Sequence, residues 1–482
     1  MQKVFDNPCQ IEARIKQKYG FPDFIMMENA ALSIKNLIQE LSPKQAASCI
    51  ILCGKGNNGG DGYALARLIN GQLNTFVFCL EPPAANEAKT QYEMCRKMGI
   101  KFVSQKELFE LLAKKTDFII DCLYGTGFKG ELSPKVKRII DAANNCSAKR
   151  IACDISSGLA FNADYTVTMG EHKLTLFSDK AKQVSGQILV AELGLDRTVF
   201  ESVTKPSAFL ITQDDIKLPL RTNKAAHKGS YGHTAVFAGE KSGAAIICAT
   251  AAMNFGSGLT TLVQTTDSNL KQFKISPELM ISTGLPVKTT CAVFGPGMHE
   301  NALPDDSISK IPALVFDAGI FGNPDFPDLL AKLDSRSGSR IVLTPHLLEL
   351  TRLCKNLKIK PEPQVEALSN DPALKIKIGQ KINKLFPNSV LVIKSANTFI
   401  AAGGQIYIIT DGVPSLAKGG SGDVLAGMIA ALLAQGYSAK DAAITACEVH
   451  ALAAKKIGAS NYSLTPMKLI NAILHQPLPN RL

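Results

Sequence analysis

At 482 residues, 46% of them hydrophobic and 20% charged, the chain is long enough for two or three domains and too mixed for a disordered or fibrous protein. Its 53 Lys and Arg against 42 Asp and Glu leave a net charge of +11, which favours anionic ligands; but no basic run with interleaved aromatics occurs and Trp is absent, so no nucleic-acid partner is expected. The longest apolar run, Val424–Ala434, is too short to span a bilayer, and the twelve scattered cysteines form no C-x-x-C and no zinc spacing, the usage of a reducing, cytoplasmic compartment without a membrane partner.

The opening MQKVFDNPCQIEARIKQKYG has no apolar core of the signal-peptide kind. Short β-branched runs then alternate with helical stretches. Strands are predicted at Ser48–Cys53, Thr75–Leu80, Asp117–Leu123 and Arg150–Asp154, and helices at Gly60–Ile69, Asn86–Met98 and Pro134–Asn144. That βαβ rhythm predicts a parallel sheet covered on both faces. Val167–Met169, Leu174–Phe177 and Gln187–Glu192 read as further strands. The pattern weakens into polar residues around Pro206–Ala226, where a domain boundary is placed. It restarts with strands at Thr234–Ala238, Leu259–Gln264, Cys291–Phe294, Ala313–Asp317, Arg340–Leu343 and Val390–Lys394, and a hairpin formed by Asn397–Ala401 and Gln405–Thr410. Helices at Ala244–Phe255, Asp423–Ala434 and Ala439–Ala454 complete a second α/β domain.

In the first half, GKGNNGGDG (Gly54–Gly62) follows a strand and leads into a helix, which lets backbone approach a phosphate closely. It is not a Walker sequence, and a lone glycine loop of this kind would read as a flexible turn. Asp121 and Asp154 each end a predicted strand and precede glycine-bearing loops, GTGFKGE (Gly125–Glu131) and ISSG (Ile155–Gly158). Loops after the carboxyl ends of parallel strands form the ligand crevice, so the three should converge. Asn58, Asp121 and Ser157 offer oxygen ligands suited to a hard cation. MMENAA (Met26–Ala31), GKGNNGGDG, DCLYGTGFKGEL, DISSGL and VSGQILVAELGL occur in this order. Together they resemble the NAD(P)HX epimerase domain over residues 1–205.

That resemblance implies a Rossmann-like three-layer domain that binds the hydrate of a reduced pyridine nucleotide. It implies hydrate contacts from Asn57, Asn58, Gly59, Gly60 and Asp61, from Gly125, Thr126, Gly127, Phe128, Lys129, Gly130 and Glu131, and from Asp154. It implies potassium (K+) at Asn58, Asp121 and Ser157. Asp154 is expected to move the proton at the epimerising carbon. Ser156 stands where the family usually has proline, and Phe128-Lys129 where it usually has a longer basic segment.

In the second half, DGVPSLAKGGSGDVLAG (411–427) is a glycine-rich turn running into an apolar helix with one carboxylate, Asp423, at its start. The converging N–H groups and the helix dipole favour a phosphate there, and the carboxylate can take a proton from an attacking hydroxyl. The competing reading is a helix capped by Ser421 or Asp423. HKGSYGHTAVFAGE, GAAIICATAAMNFGSG, SPELM, GPG, FDAG, LTPHLLEL, VIKSANT and GGSGDVLAG follow in order. They resemble the NAD(P)H-hydrate dehydratase domain, a ribokinase-like three-layer α/β/α fold, over residues 207–482.

The resemblance implies that ADP or ATP phosphorylates the ring hydroxyl, after which phosphate leaves and the double bond returns. It makes Asp423 the base. Gly420 and Gly422 would present N–H groups to the transferred phosphoryl, and Lys394, Ser395, Ala396, Asn397 and Thr398 would bind nucleotide. Ala244, Gly297, His346 and Asp423 would touch the hydrate, and magnesium (Mg2+) would accompany the phosphates. His346 also reads as a helix cap after Pro345, and Lys394 as a surface lysine; Asp317 is left unassigned. Lys418 stands where the family usually has threonine, and Ser395 where it usually has glycine.

The leading expectation is a bifunctional repair enzyme that epimerises the R and S hydrates of NADH and NADPH (NADHX and NADPHX) and dehydrates the S form. ADP is favoured over ATP, with a homo-oligomer in a bacterial cytosol. The alternatives are a dehydratase with an inactive scaffold as its first domain, and a hydroxyethylthiazole-type vitamin-precursor kinase.

Overall fold

The structure is a computed structural model that describes residues 1–41 and 47–474. The chain divides into two compact units, residues 3–207 and residues 208 onward, the latter joined by residues 1–2.

The main sheet of the first unit has strands β1 (Ser48–Cys53), β2 (Asn74–Cys79), β3 (Lys101–Phe102), β4 (Phe118–Cys122), β5 (Lys149–Cys153), β6 (Tyr165–Met169) and β7 (Gln187–Ala191); outside it the short strand His172–Lys173 pairs in parallel with Val4 and Phe5. All neighbours pair in parallel in the order β3-β2-β1-β4-β5-β6-β7. The first six of these positions follow the doubly wound order, with its switch point beside β1. Successive residues of a strand face opposite sides. Ile51 and Cys53 accordingly join a core with α2 (Asp23–Leu41) and α3 (Asn57–Ile69), while Ile50 and Leu52 join another with α5 (Gln105–Leu112) and α6 (Pro134–Asn144). The sheet is therefore the middle of three layers. Helix α4 (Asn86–Lys97) packs on α3.

Two expectations need correcting here. Leu174–Phe177 is a 3-10 turn, not a strand; three of its four residues are buried, so the apolar alternation that suggested a strand reflects burial alone. Helix α3 starts at Asn57 rather than Gly60, because poor helix formers at its start hide the first turn from a pattern reading.

In the second unit the strands are β8 (Ala208–Leu210), β9 (His233–Ala238), β10 (Leu259–Gln264), β11 (Met280–Ser282), β12 (Cys291–Phe294), β13 (Ala313–Phe316), β14 (Arg340–Leu343), β15 (Ser389–Ile393), β16 (Thr398–Ala402) and β17 (Gln405–Ile409). Their order is β11-β10-β9-β12-β13-β14-β15-β16-β17-β8. Pairing is parallel except at β15/β16 and β16/β17. Helices α7 (Ser242–Asn254), α11 (Ser421–Ala434) and α12 (Ala439–Ile457) share a core with Val236, Val390 and Val392. Leu391, on the opposite side of β15, is also fully buried. There α10 (Pro372–Leu385) packs on β15 and β16, while α8 (Phe326–Asp334) and α9 (Leu347–Asn356) follow β13 and β14. Helix α11 is apolar nearly all round, as a helix buried against both a sheet and α7 must be.

Candidate functional site

Each unit gathers its chemistry at the carboxyl ends of parallel strands. In the first unit, close backbone packing sets the frame. A Cβ at Gly59 would stand 1.9 Å from the Gly54 oxygen, and one at Gly54 1.9 Å from the Leu123 oxygen, so only glycine lets these loops touch. Asn57 is exposed in the first turn of α3, and Gly60 and Asp61 are buried below it. Beside Gly125, the place a Cβ would occupy lies 2.9 Å from Asp154 Oδ2 and 3.5 Å from Asn58 Oδ1. The asparagine loop, the GTG turn and Asp154 therefore meet at one point.

Asp154 is held in the left-handed region at φ +71°, with its N–H on the Val167 oxygen at 2.8 Å. A non-glycine residue there is strained and is kept in place by its surroundings. Asp154 Oδ2 accepts hydrogen bonds from Thr126 N at 2.9 Å and Thr126 Oγ1 at 2.6 Å; Oδ1 receives the ammonium of the buried Lys173. Burial alone would raise this carboxyl, but Lys173 and Thr126 hold it below its ordinary value. Asp61 behaves oppositely. Burial, and then the nearby Asp154 charge, push it well above the usual range, and the side chain bonded to it is the Cys153 thiol, at 3.7 Å. Two carboxyl groups of one crevice are thus shifted in opposite directions.

Asp121 lies inside β4 and is completely buried. Its Oδ1 accepts from Ser157 Oγ at 2.7 Å and Leu123 N at 3.2 Å, and its Oδ2 from Ser157 N at 2.8 Å. Burial lifts it to about 6, with these bonds opposing. The amide oxygen and nitrogen of Asn58 are buried without a hydrogen-bond partner. Among the described residues no group of three or more His, Cys, Asp or Glu is placed to hold a metal. A cation here would rest on one carboxylate and neutral oxygens. The later part of the GTG loop is not drawn in: Gly127, Lys129, Gly130 and Glu131 are exposed, Phe128 stacks on Tyr124 with ring centres 4.3 Å apart, and Glu131 pairs with Lys137 at 3.8 Å.

In the second unit, α11 begins after Gly420, whose φ of +89° turns the chain into the helix. No side chain caps it, so neither Ser421 nor Asp423 does; Ser421 N donates to the Lys418 oxygen and Val424 N to the Gly420 oxygen, each at 3.1 Å, which leaves the Gly422 and Asp423 N–H groups for a ligand. Asp423 is pushed up to about 7 by burial and by Asp317, with Lys394 opposing. Lys394 follows β15 and is no surface lysine. Its Nζ is 2.7 Å from Asp317 Oδ1, which also accepts Thr344 Oγ1 at 2.7 Å. A Cβ at Gly422 would stand 3.4 Å from Lys394 Nζ, which puts this ammonium before the N-terminus of α11. Burial works against its charge; Asp317, then Glu349, more than restore it.

His346 does serve as a cap: Nδ1 accepts Glu349 N at 3.3 Å, and its own N–H donates to Glu349 Oε2 at 2.9 Å. The ring is still 51% exposed, its Nε2 lies 3.2 Å from Glu349 Oε1, and burial and Lys394 lower its pKa. Glu349 is lifted to about 7 by burial. Gly297 (φ +68°) abuts α7: a Cβ there would lie 3.2 Å from Ala244 Cβ. One turn after Ala244, the thiol of Cys248 is raised by burial, Asp423 and Asp317, so α7 leads to the same carboxylates. Ser395 to Asn397 form the turn into β16, with Asn397 buried.

A family model described as NAD(P)H-hydrate dehydratase matches residues 234–475, and one described as YjeF-related protein N-terminus matches residues 23–175. The bifunctional NAD(P)H-hydrate repair enzyme of Helicobacter pylori is 36% identical, covering 98% of this chain and 99% of its own. The chain belongs to the bifunctional NAD(P)H-hydrate repair enzyme family. The Coxiella burnetii relative is 31% identical over 86% of each chain. A solved ADP/ATP-dependent NAD(P)H-hydrate dehydratase from Bacillus subtilis, co-crystallised with ATP and Mg2+, is 23% identical, covers 53% of this chain and 92% of its own, and has a TM-score of 0.43.

In this repair-enzyme chain the structure adds residues that a sequence reading passes over. Lys173 sits in the polar run Glu171-His172-Lys173, which carries no motif. Glu349 completes a capping box with His346, a signal present in H-x-x-E but easily taken as local. Asp317 is the residue that anchors Lys394. Among the described residues no helix is long and apolar enough to cross a membrane.

Proposed function

We propose that the first unit interconverts the R and S hydrates of NADH and NADPH, and that the second dehydrates the S form with ADP or ATP as phosphoryl donor. The observation that carries this is Asp423, in the open first turn of α11 and raised to about 7, with Lys394 before the same turn. A base of that pKa suits proton uptake from an alcohol near neutral pH. The N–H groups after Gly420 and the Lys394 ammonium would stabilise the transferred phosphoryl. Ala244, Gly297 and His346 would line the ring, and residues 394–398 the nucleotide. Mg2+ would enter with the nucleotide phosphates and offset their charge, since among the described residues no three carboxylates are placed to hold it by themselves.

In the first unit the hydrate would lie against Asn57 to Asp61, Gly125, Thr126 and Asp154, with Asp154 holding or moving the proton at the epimerising carbon. K+ fits Asn58, Asp121 and Ser157, since the Asn58 amide oxygen is buried without a partner. When bound it would supply a fixed positive charge there. The free cysteines support a reducing, cytoplasmic setting, and a homo-oligomer is part of the same reading.

The test is to incubate the purified protein with mixed R and S NADPH hydrate, Mg2+, K+ and ADP, then with ATP, following the near-ultraviolet absorbance of the restored ring. Recovery beyond the S fraction, faster than spontaneous epimerisation, supports both activities and names the nucleotide. Recovery of the S fraction alone removes the epimerase; none with either nucleotide removes the dehydratase and brings the vitamin-precursor kinase and scaffold readings forward.

A further inference from the structure

We propose that Lys375 is a positioning residue for the nucleotide segment: its buried ammonium fixes the 394–398 turn through Ser395 and so sets affinity for a nucleoside di- or triphosphate. The inference rests on the dehydratase reading above. Lys375 lies in the first turn of α10 with no exposed surface. Its Nζ donates to Ser395 Oγ at 2.7 Å and stands 5.0 Å over the ring of Phe399. An ammonium only donates, so the single hydroxyl proton of Ser395 is free to go onward, and Ser395 Oγ donates to the Asn397 oxygen at 2.7 Å.

The turn joins β15 to β16, whose register starts at Ile393 opposite Phe399. Lys375 therefore touches both the turn and the first residue pair of the hairpin. On the other side, Lys394 N donates to the Pro345 oxygen at 2.9 Å, and Lys394 Nζ is held by Asp317. The segment is clamped from two sides, and only one clamp uses a residue already placed in the site.

Packing alone does not call for a lysine here. A buried ammonium is costly, and a methionine of similar reach would fill the space without that cost. A lysine kept there gives what methionine cannot, a hydrogen-bond donor to the turn. Ser395 supplies the acceptor that this lysine uses.

The experiment measures calorimetric binding of ADP and of ATP, with magnesium, to the full chain and to the variants Lys375→Met, Ser395→Gly and the double variant. Lys375→Met should weaken nucleotide binding about tenfold, the size expected for losing a charged hydrogen bond, and raise the nucleotide KM with little change in kcat or in the hydrate KM. Ser395→Gly should weaken it about threefold, and Lys375→Met should then cost less in the glycine background than in the wild type. The thermal midpoint and the hydrate KM report whether the second unit of each variant is folded. Unchanged nucleotide affinity in Lys375→Met, or equal losses for nucleotide and hydrate, overturns the proposal. If Lys375→Met does not fold, Ser395→Ala decides, and unchanged affinity there overturns it. A wild type that binds neither nucleotide overturns the dehydratase reading itself, and this inference with it.

Discussion

Both candidate sites pair buried carboxylates with a buried lysine at the ends of parallel strands, yet the lysine is spent differently. In the first unit Lys173 binds the candidate catalytic group directly, and Asp154 stays ionised well into acid. In the second, Lys394 is taken by Asp317, and Asp423 is left at about 7. A clamped carboxylate is a fixed charge. An unclamped one can pick up a proton within a catalytic cycle. The same two residue types therefore make a fixed charge in one unit and a titrating carboxyl in the other.

The sharpest way to break this contrast is Asp423→Asn. Dehydration of pure S hydrate should fall about a thousandfold, within the span usual for a lost general base, while R-to-S conversion persists. Loss of both activities in a folded variant would end the two-site picture. Next comes Lys173→Met, which leaves Asp154 buried without its ammonium and should cost about 3–5 kcal/mol in denaturant unfolding of the first unit. Adding Asp154→Asn should recover much of that loss, and a double variant as unstable as the single one would show that Lys173 matters by packing alone. The pH profiles should separate as well. Dehydration needs Asp423 ionised, so its kcat should fall as pH drops through about 7. R clearance relies on a carboxyl held below its ordinary value and should continue at lower pH. Coincident profiles would contradict the contrast. The smallest effect is expected from Lys418→Thr. This exposed lysine donates to the Tyr462 oxygen at 3.2 Å, and its loss should change the nucleotide KM by less than about threefold.

The strand and helix rhythm was legible because β-branched runs such as Ser48–Cys53 and Cys291–Phe294 are buried on both faces and bounded by glycine or proline. The loops that converge were legible for the same reason, since each follows a strand end. Lys173 was not, because a lone lysine in a short run carries no sign of whether it faces water or a carboxylate twenty residues away. Glu131 illustrates the converse: it follows a glycine turn in a motif yet faces solvent beside Lys137. His346 was readable both ways, as a cap and as a ring beside the site, and the geometry makes it a cap whose ring is still exposed. Motifs mark where backbone must be close; they do not say which long side chain is folded back.

Strand order also bears on how each unit comes together as the chain leaves the ribosome. In the seven-stranded sheet of the first unit every strand in turn joins an existing edge: β2 and β3 extend one side of β1, and β4 to β7 the other. The second unit is different. Its first strand, β8, pairs with β17, made about two hundred residues later. Such long-range pairing is slow to close. The seven-stranded sheet can thus grow strand by strand during synthesis, although Val4 and Phe5 wait for His172 and Lys173. The carboxy-terminal sheet instead keeps a loose leading strand until its own last strand is made.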